Sequence, residues 1–187
     1  MAFPRLGAAA FVLACLTALF PATVDAQSPA GWPQWRGPLG NGVSPDGDPP
    51  IRWSEGENVR FKVPIDGRGL ASPIVWGERI FVLSALADGS SSSAGGETSA
   101  PKSGASQEAA PGVDLVRQRF LVTAYDRRDG SIDWQRVAHE RVPQESHHLE
   151  SAWANGSPIT DGERVYAHFG SSGTYAYTLE GELVWKV

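Results

Sequence analysis

Hydrophobic and polar residues alternate along several short segments of the chain, with the two-residue period that is typical of β-strands. Residues 120–126 (FLVTAYD) alternate in this way, a charged turn follows at residues 127–130 (RRDG), and the alternation resumes through residues 131–137 (SIDWQRV). Residues 174–187 repeat this layout as TYAYT, LEG and ELVWKV, with a shorter turn. Each copy therefore predicts two antiparallel strands joined by a tight turn that ends in glycine.

Another repeated segment precedes each of these two hairpins. Residues 71–84 (ASPIVWGERIFVLS) align without gaps on residues 156–169 (GSPITDGERVYAHF), with Ser-Pro-Ile and Gly-Glu-Arg in register. Each segment predicts two short strands around a turn, and the Asp161-Gly162 pair indicates a type I′ hairpin. Together the two repeats predict an all-β chain made of units of four sequential antiparallel strands.

Two further segments interrupt or precede these units. Residues 87–112 are rich in Ser, Gly and Ala and lack a strand pattern, so we interpret them as a disordered surface insertion rather than a functional lid. Residues 58–63 (NVRFKV) resemble residues 182–187 (ELVWKV), with Phe61 at the position of the tryptophan. This segment is typical of the last strand of a unit whose first three strands are absent.

The N-terminus differs in kind from the rest of the chain. Arg5 precedes an apolar run at residues 6–20, and the small-residue pattern at residues 24–26 indicates a cleavage site. The run is short for a membrane span, so we interpret residues 1–26 as a secretory signal peptide, against the alternative of a retained anchor. The stretch that ends at Cys15 resembles a lipoprotein box, but the apolar run continues past it, which argues against a lipid anchor.

Charge and cysteine content narrow the functional classes. The formal net charge is −5, and lysine and arginine are not clustered, which argues against nucleic-acid binding. The single cysteine lies in the signal segment, so the exported chain has no disulfide framework and its stability must come from packing. We therefore expect a periplasmic or secreted protein with no membrane span after signal cleavage.

The layout of residues 124–134 (AYDRRDGSIDW) resembles the tryptophan-docking motif of the quinoprotein, or PQQ-like, β-propeller repeat, Ala-x-Asp-x-x-Thr-Gly-x-x-x-Trp. The matching residues are Ala124, Asp126, Gly130 and Trp134 in the first copy, and Ala176, Gly181 and Trp185 in the second. Asp129 stands where the family has threonine, and Thr178 replaces the aspartate in the second copy. The segment GWPQWRGPLGNGVS, residues 31–44, is also similar to the start of many exported bacterial proteins of this superfamily.

The resemblance implies a β-propeller of four-stranded antiparallel blades, in which the docking tryptophan packs against the neighbouring blade. It assigns residues 27–57 to an N-terminal extension and residues 58–187 to a partial propeller, with about two blades of an incomplete ring. We therefore expect an N-terminal fragment of a longer protein, in which residues 58–63 complete the last blade and close the ring. The motif residues have structural roles in the family and indicate no chemistry.

The candidate ligand residues fall in one polar connection between the units. They are His139, His147, His148 and Glu150. Adjacent histidines on an extended chain point to opposite sides, and the spacing matches no established ligand motif, so no metal site is assigned. A solvated loop or a rim that faces a ligand is the alternative. Because no pattern supports nucleophilic catalysis, no catalytic residue is predicted.

A second candidate group consists of four tryptophans. They are Trp32, Trp35, Trp53 and Trp76. They could make a stacking platform for a carbohydrate or a quinone, although aromatic residues near the start of a repeat are more typical of the core.

Three functional interpretations follow. The first is a noncatalytic exported propeller that acts as a binding or assembly scaffold for envelope proteins or a small ligand, with no cofactor. The second is a fragment of a PQQ-dependent alcohol or sugar dehydrogenase. That family implies a calcium-bound quinone, an aspartate base and often a disulfide, which only further blades could supply, because the exported segment has no cysteine and no matched aspartate. The third is a carbohydrate-binding propeller, and we favour the first.

Overall fold

The computed structural model describes residues 31–45, 47–89, 116–144 and 151–187, and in these residues the protein is all-β. The strands form two open antiparallel sheets, and the described residues contain no α-helix. The predicted signal peptide at residues 1–26 lies outside the described residues. No helix in the four described ranges is long and apolar enough to cross a membrane.

Each sheet contains its strands side by side in chain order. Sheet 1 consists of β1 (Gly31–Trp32), β2 (Ile74–Trp76), β3 (Arg79–Ala87), β4 (Gln118–Asp126) and β5 (Ile132–Arg141). Sheet 2 consists of β6 (Ile159–Thr160), β7 (Arg164–His168), β8 (Thr174–Thr178) and β9 (Leu183–Lys186), with a short 3-10 helix at Gly170–Ser172 between β7 and β8. Strands β2 to β5 and β6 to β9 are therefore equivalent four-stranded units, and β1 is added beside β2.

The strands form where the alternation predicts them. Strands β4 and β8 contain the first alternating segment of each repeat. Strand β5 begins one residue inside the second segment of the first repeat, and β9 lies within that of the second repeat. Along β4, Phe120, Val122 and Ala124 face one side of the sheet, whereas Leu121 and Thr123 face the other, and all five are buried. Strand β4 is therefore covered on both faces, whereas much of β5 is exposed.

The hydrophobic core lies between the two sheets. Phe81, Phe120 and Val122 of sheet 1, Val165 of sheet 2 and Phe169, which follows β7, belong to one buried cluster. The rings of Phe120 and Phe169 are 5.2 Å apart and tilted by 58°, an arrangement that aromatic pairs favour. Side chains that alternate along each strand therefore join the sheets face to face.

The hairpin between β6 and β7 differs from the predicted type I′ turn. A type I′ turn needs a positive φ at both central residues, whereas Gly162 has a φ of 92° and Asp161 has no positive φ. The Asp161 carboxylate instead accepts hydrogen bonds from the amides of Glu163 at 2.9 Å and Arg164 at 2.7 Å. The predicted turn type is wrong because this side-chain cap stabilises a different backbone conformation.

Residues 58–63 form no strand, in contrast to their strand-like sequence. No backbone hydrogen bond joins residues 59–66 to another described residue, because no other strand lies beside them. The segment lies against sheet 1 instead, where Phe61 and Val63 are next to the turn at Gly130. A β-strand needs a neighbouring strand to pair its backbone groups, and residues 58–63 have none within the described residues.

The first residues of the predicted insertion, residues 87–112, overlap the end of sheet 1. Ala87 pairs with Gln118 and ends β3, and the amide of Asp88 donates a 2.8 Å hydrogen bond to the carbonyl oxygen of Arg117. Residues 90–112, the rest of this segment, lie outside the described residues.

Candidate functional site

The best-defined contact between the sheets is made by Trp134 of β5. Its indole Nε1 donates a 2.8 Å hydrogen bond to the carbonyl oxygen of Leu179, in the turn between β8 and β9. The ring lies on Gly181, where a Cβ atom would be 2.6 Å from it. Gly181 has a φ of 86°, which also favours glycine. Trp134, which is only 6% exposed, is thus docked on the turn of the neighbouring sheet.

Two arginines extend this contact at its edge. Arg136 Nε donates a 2.8 Å hydrogen bond to the carbonyl oxygen of Gly181. Arg79 bonds the carboxylate of Asp133 at 2.5 Å in its own sheet and that of Glu180 at 3.2 Å in sheet 2. The hydrogen bond to Asp133 is the main cause that raises the pKa of Arg79. Both arginines therefore join the two sheets, and the Arg136 guanidinium lies 5.7 Å from the centroid of the Trp134 ring.

Phe61 contacts the glycine turn of sheet 1 much as Trp134 contacts the glycine turn of sheet 2. Gly130 ends the turn between β4 and β5 with a φ of 77°, and it corresponds to Gly181 in the repeat. A Cβ atom at Gly130 would lie 2.6 Å from the Phe61 ring and 2.5 Å from Val63. Phe61 therefore occupies on sheet 1 the place that Trp134 occupies on sheet 2.

One face of sheet 2 is exposed although the equivalent face of sheet 1 is buried. Trp185 corresponds to Trp134 but is 41% exposed, and Ile159 corresponds to the fully buried Ile74 but is 49% exposed. Tyr166 lies beside Trp185, with ring centroids 6.0 Å apart. We call the surface formed by Ile159, Tyr166 and Trp185 the open face.

The acidic and phenolic groups with the largest pKa shifts lie in turns or in the hydrophobic core. The Tyr166 hydroxyl, 2.6 Å from Asp161, is the first cause that lowers the pKa of Asp161 to about 2. Arg128 likewise lowers the pKa of Asp126 to about 2 in the turn after β4. Burial raises the pKa of Tyr177 to about 12. These shifts indicate turn capping and core burial rather than general acid or base chemistry.

A cleft of about 460 Å³ lies beside the first strands of the two repeats. It is lined by Gln34, Trp35, Leu70, Ser72, Asn155, Ser157 and Ile159, and we call it the first-strand cleft. Ser72 and Ser157 are equivalent residues of the repeat, and the amide of Ser72 donates a 3.0 Å hydrogen bond to Ser157 Oγ. The repeated Ser-Pro-Ile is the sequence signal that could have located this site, because equivalent residues of stacked units lie side by side.

The four candidate tryptophans fall into two pairs. Trp32 and Trp76 are partly buried, and Trp76 lies on Gly162 of sheet 2, where a Cβ atom would be 2.6 Å from the ring. Trp35 and Trp53 are 59% and 71% exposed. Trp35 lines the first-strand cleft, whereas Trp53 lines neither this cleft nor the two smaller described ones.

The predicted ligand loop is described only in part. The ring of His139, in β5, stacks near that of Phe120 with centroids 6.4 Å apart. His147, His148 and Glu150 lie outside the described residues. Within the described part of the chain, no group of three or more His, Cys, Asp or Glu side chains could hold a metal ion.

The described clefts do not fit a calcium-bound quinone. Calcium takes six to eight oxygen ligands, with carboxylates prominent among them. No Asp or Glu lines the first-strand cleft or the two smaller clefts of about 290 Å³ each. A carboxylated quinone would also need cationic partners, and Arg68 is the one arginine or lysine among the residues that line these described clefts.

Comparison with known proteins assigns no family. No protein-family model matches the chain, and no curated protein matches its sequence. The function therefore has to be inferred from the sheet interface, the open face and the first-strand cleft.

Proposed function

We propose that the two sheets are neighbouring blades of a β-propeller, and that the protein is a noncatalytic scaffold for binding or assembly in the periplasm or outside the cell. The observation that carries this proposal is the docking of Trp134 on the turn that contains Leu179 and Gly181. Phe61 makes a second contact of this kind, an aromatic ring on a glycine turn, at Gly130 of sheet 1. Stacked units of four sequential strands are the building blocks of a propeller.

The open face supports assembly with a further sheet. Contiguous apolar surface on a folded protein commonly marks a site of interaction. Trp185 and Ile159 are exposed there, while their equivalents in sheet 1 are covered by sheet 2. We infer that another four-stranded sheet covers the open face and offers Trp185 a glycine turn with a carbonyl acceptor.

The noncatalytic part of the proposal is supported by the surroundings of the titratable groups. Asp126 and Asp161 cap turns, and Tyr177 is buried in the core. The dehydrogenase alternative gains no support from the described clefts, whose lining lacks carboxylates. The carbohydrate alternative has one favourable observation, the exposed Trp35 in the first-strand cleft.

Photo-crosslinking from the open face tests the scaffold role. A photoreactive phenylalanine analogue replaces Trp185 in the full chain, expressed in cells, and a matched variant carries it at the exposed Glu182, in the turn before β9. We expect a discrete protein adduct from position 185 and none from position 182, with the attachment mapped by mass spectrometry to a sheet of the same repeat. The absence of an adduct at position 185, or attachment to unrelated surface loops, would contradict the proposal.

A parallel assay tests the noncatalytic claim. The purified chain is mixed with PQQ and calcium, and dye reduction is followed with primary alcohols and with aldoses. The scaffold proposal predicts no turnover above that of heat-denatured protein. Substrate-dependent dye reduction would overturn it in favour of the dehydrogenase.

A further inference from the structure

The first-strand cleft is held in shape by contacts to both sheets. Strand β1 pairs with β2, and just after it the carbonyl oxygen of Pro33 accepts a 2.9 Å hydrogen bond from the amide of Thr160 in sheet 2. The amide of Leu70 donates a 3.1 Å hydrogen bond to the carbonyl oxygen of Ala154, which joins the two walls. A cleft with such fixed walls requires little ordering when a ligand binds.

Trp35 supplies a flat apolar wall. The guanidinium of Arg36 lies 4.6 Å from the centroid of its ring, while Trp35 remains 59% exposed. Trp35 is among the residues that line the cleft, whereas Arg36 is not. Arg36 also has a φ of 63°, an uncommon conformation for a residue with a side chain.

Hydroxyl and amide groups with free hydrogen-bonding capacity surround this wall. Ser72 Oγ has no hydrogen-bond partner among the described residues, and Ser157 Oγ accepts one bond but keeps its own hydrogen to donate. Gln34 donates from Nε2 to the carbonyl oxygen of Gly37 at 3.2 Å, which leaves its side-chain oxygen as an acceptor. The cleft therefore offers both donors and acceptors beside an aromatic surface.

No charged residue is among those described as lining the first-strand cleft. A ligand with a formal charge would lose its hydration there without gaining a partner of opposite sign. A sugar ring fits these surroundings better, because its C–H groups form an apolar face and its hydroxyls both donate and accept. The cleft volume, about 460 Å³, lies within the common range for small-molecule sites.

We propose that the first-strand cleft binds an uncharged saccharide, with the sugar ring stacked on Trp35 and its hydroxyls bonded to Gln34, Ser72 and Ser157. This inference rests on the proposed binding role and names its ligand class. Because Ile159 lines the cleft and also belongs to the open face, the inference requires that a sheet on the open face leaves Trp35, Gln34 and the two serines accessible. It makes Trp35 a ligand contact and leaves Trp134 a structural residue.

Calorimetric and fluorescence titrations of the full chain test the proposal. The probes are cellohexaose, maltohexaose and chitohexaose, with an oligogalacturonate of similar length as the charged comparison. We expect saturable binding of at least one neutral probe and none of the charged one. Trp35→Ala should weaken binding by about tenfold or more, the loss expected for a central aromatic contact. Trp53→Ala is the matched control, because Trp53 is 71% exposed and outside the cleft, and it should bind as the parent does.

A second variant separates a lost contact from a lost fold. Ser72→Ala removes a hydroxyl that has no partner among the described residues, so it should weaken saccharide binding several-fold without changing the unfolding transition. Absence of binding to all three neutral probes, or equal binding by parent, Trp35→Ala and Ser72→Ala, would overturn the proposal. PQQ quenching of Trp35 in place of saccharide binding would overturn it too. Failure here with an adduct at position 185 would leave the scaffold role standing. Saccharide binding without that adduct would instead refute the sheet over the open face and leave the binding role standing.

Discussion

The indole Nε1 of Trp134 lies 2.8 Å from the carbonyl oxygen of Leu179, so β5 of sheet 1 is hydrogen-bonded to the turn between β8 and β9 of sheet 2. This single bond satisfies the polar group of a ring that is otherwise buried, and thereby avoids the cost of an unpaired N–H. The ring also fills the space above Gly181. Phe61 and Gly130 repeat the relation, which is the structural basis of the proposed propeller.

Trp134→Ala should destabilise the protein by about 3 to 5 kcal/mol, the range for large buried aromatics. The variant would leave a cavity against Phe81 and Tyr177, whose rings lie 5.9 Å and 6.1 Å from that of Trp134. Urea unfolding followed by circular dichroism measures the loss. Trp185→Ala is the control in the isolated chain, and its loss should be far smaller because Trp185 is 41% exposed. Equal losses for the two variants would show that Trp134 has no special docking role.

Gly181→Ala should destabilise the protein through both backbone strain and overlap with the Trp134 ring. Gly42 provides a matched control, since its φ of 84° is close to the 86° of Gly181 but no described atom lies within 4 Å of a Cβ atom there. Gly42→Ala should cost about 1 kcal/mol from strain alone. Gly181→Ala should cost at least about 3 kcal/mol, because the overlap adds to the strain. Similar losses in thermal unfolding would contradict close docking of the tryptophan.

Phe61→Ala should loosen the segment that lies against sheet 1. Because Phe61 is partly buried against Gly130, the expected loss is about 1 to 3 kcal/mol in urea unfolding. Ile65→Ala is the control within the same segment, because Ile65 is 47% exposed. An unchanged free energy of unfolding in the Phe61 variant would contradict the idea that Phe61 packs on its glycine turn as Trp134 does.

Stability should decrease in acid as Asp161 becomes protonated. Its pKa in the folded protein is held at about 2, first by the Tyr166 hydroxyl and then by the amide of Arg164, below about 3.9 for an unfolded aspartate. A carboxylate with a lowered pKa stabilises the fold above the unfolded pKa, and this contribution is lost as the pH falls through the folded value. Asp161→Asn should therefore be less stable near neutrality and lose less stability between about pH 4 and pH 2.

Urea unfolding of the parent and the Asp161→Asn variant at several pH values in this window measures the difference. Glu163→Gln, an exposed substitution in the same turn, should keep the parental pH dependence. Parallel curves for Asp161→Asn and the parent would show that the cap of the β6–β7 hairpin does not contribute to the acid transition.

Strands that pair locally were the predictable part of the fold. The alternation in β4 and β8, and the glycines at positions 130 and 181, specify two hairpins from local sequence alone. Residues 58–63 carry the same alternation but form no strand, because a strand also needs a partner that local sequence does not provide. The turn at Asp161 depends on a side-chain cap, which overrides the preference of an Asp-Gly pair.

The first-strand cleft was not predictable from local patterns. Its walls come from distant segments, which meet through the hydrogen bonds from Thr160 to Pro33 and from Ser72 to Ser157. The exposed state of Trp35 and the buried state of Trp134 also depend on which segments cover each ring. Residue type alone therefore could not separate the structural tryptophans from the candidate ligand contact.

An experimental structure of the natural protein, purified from the cells that produce it, tests the central proposal most directly. The propeller predicts that Trp185 is buried there, with its indole N–H bonded to a backbone carbonyl in the glycine turn of another four-stranded sheet, as Trp134 is bonded to Leu179. A Trp185 that remains exposed to solvent, with no sheet against the open face, would contradict it.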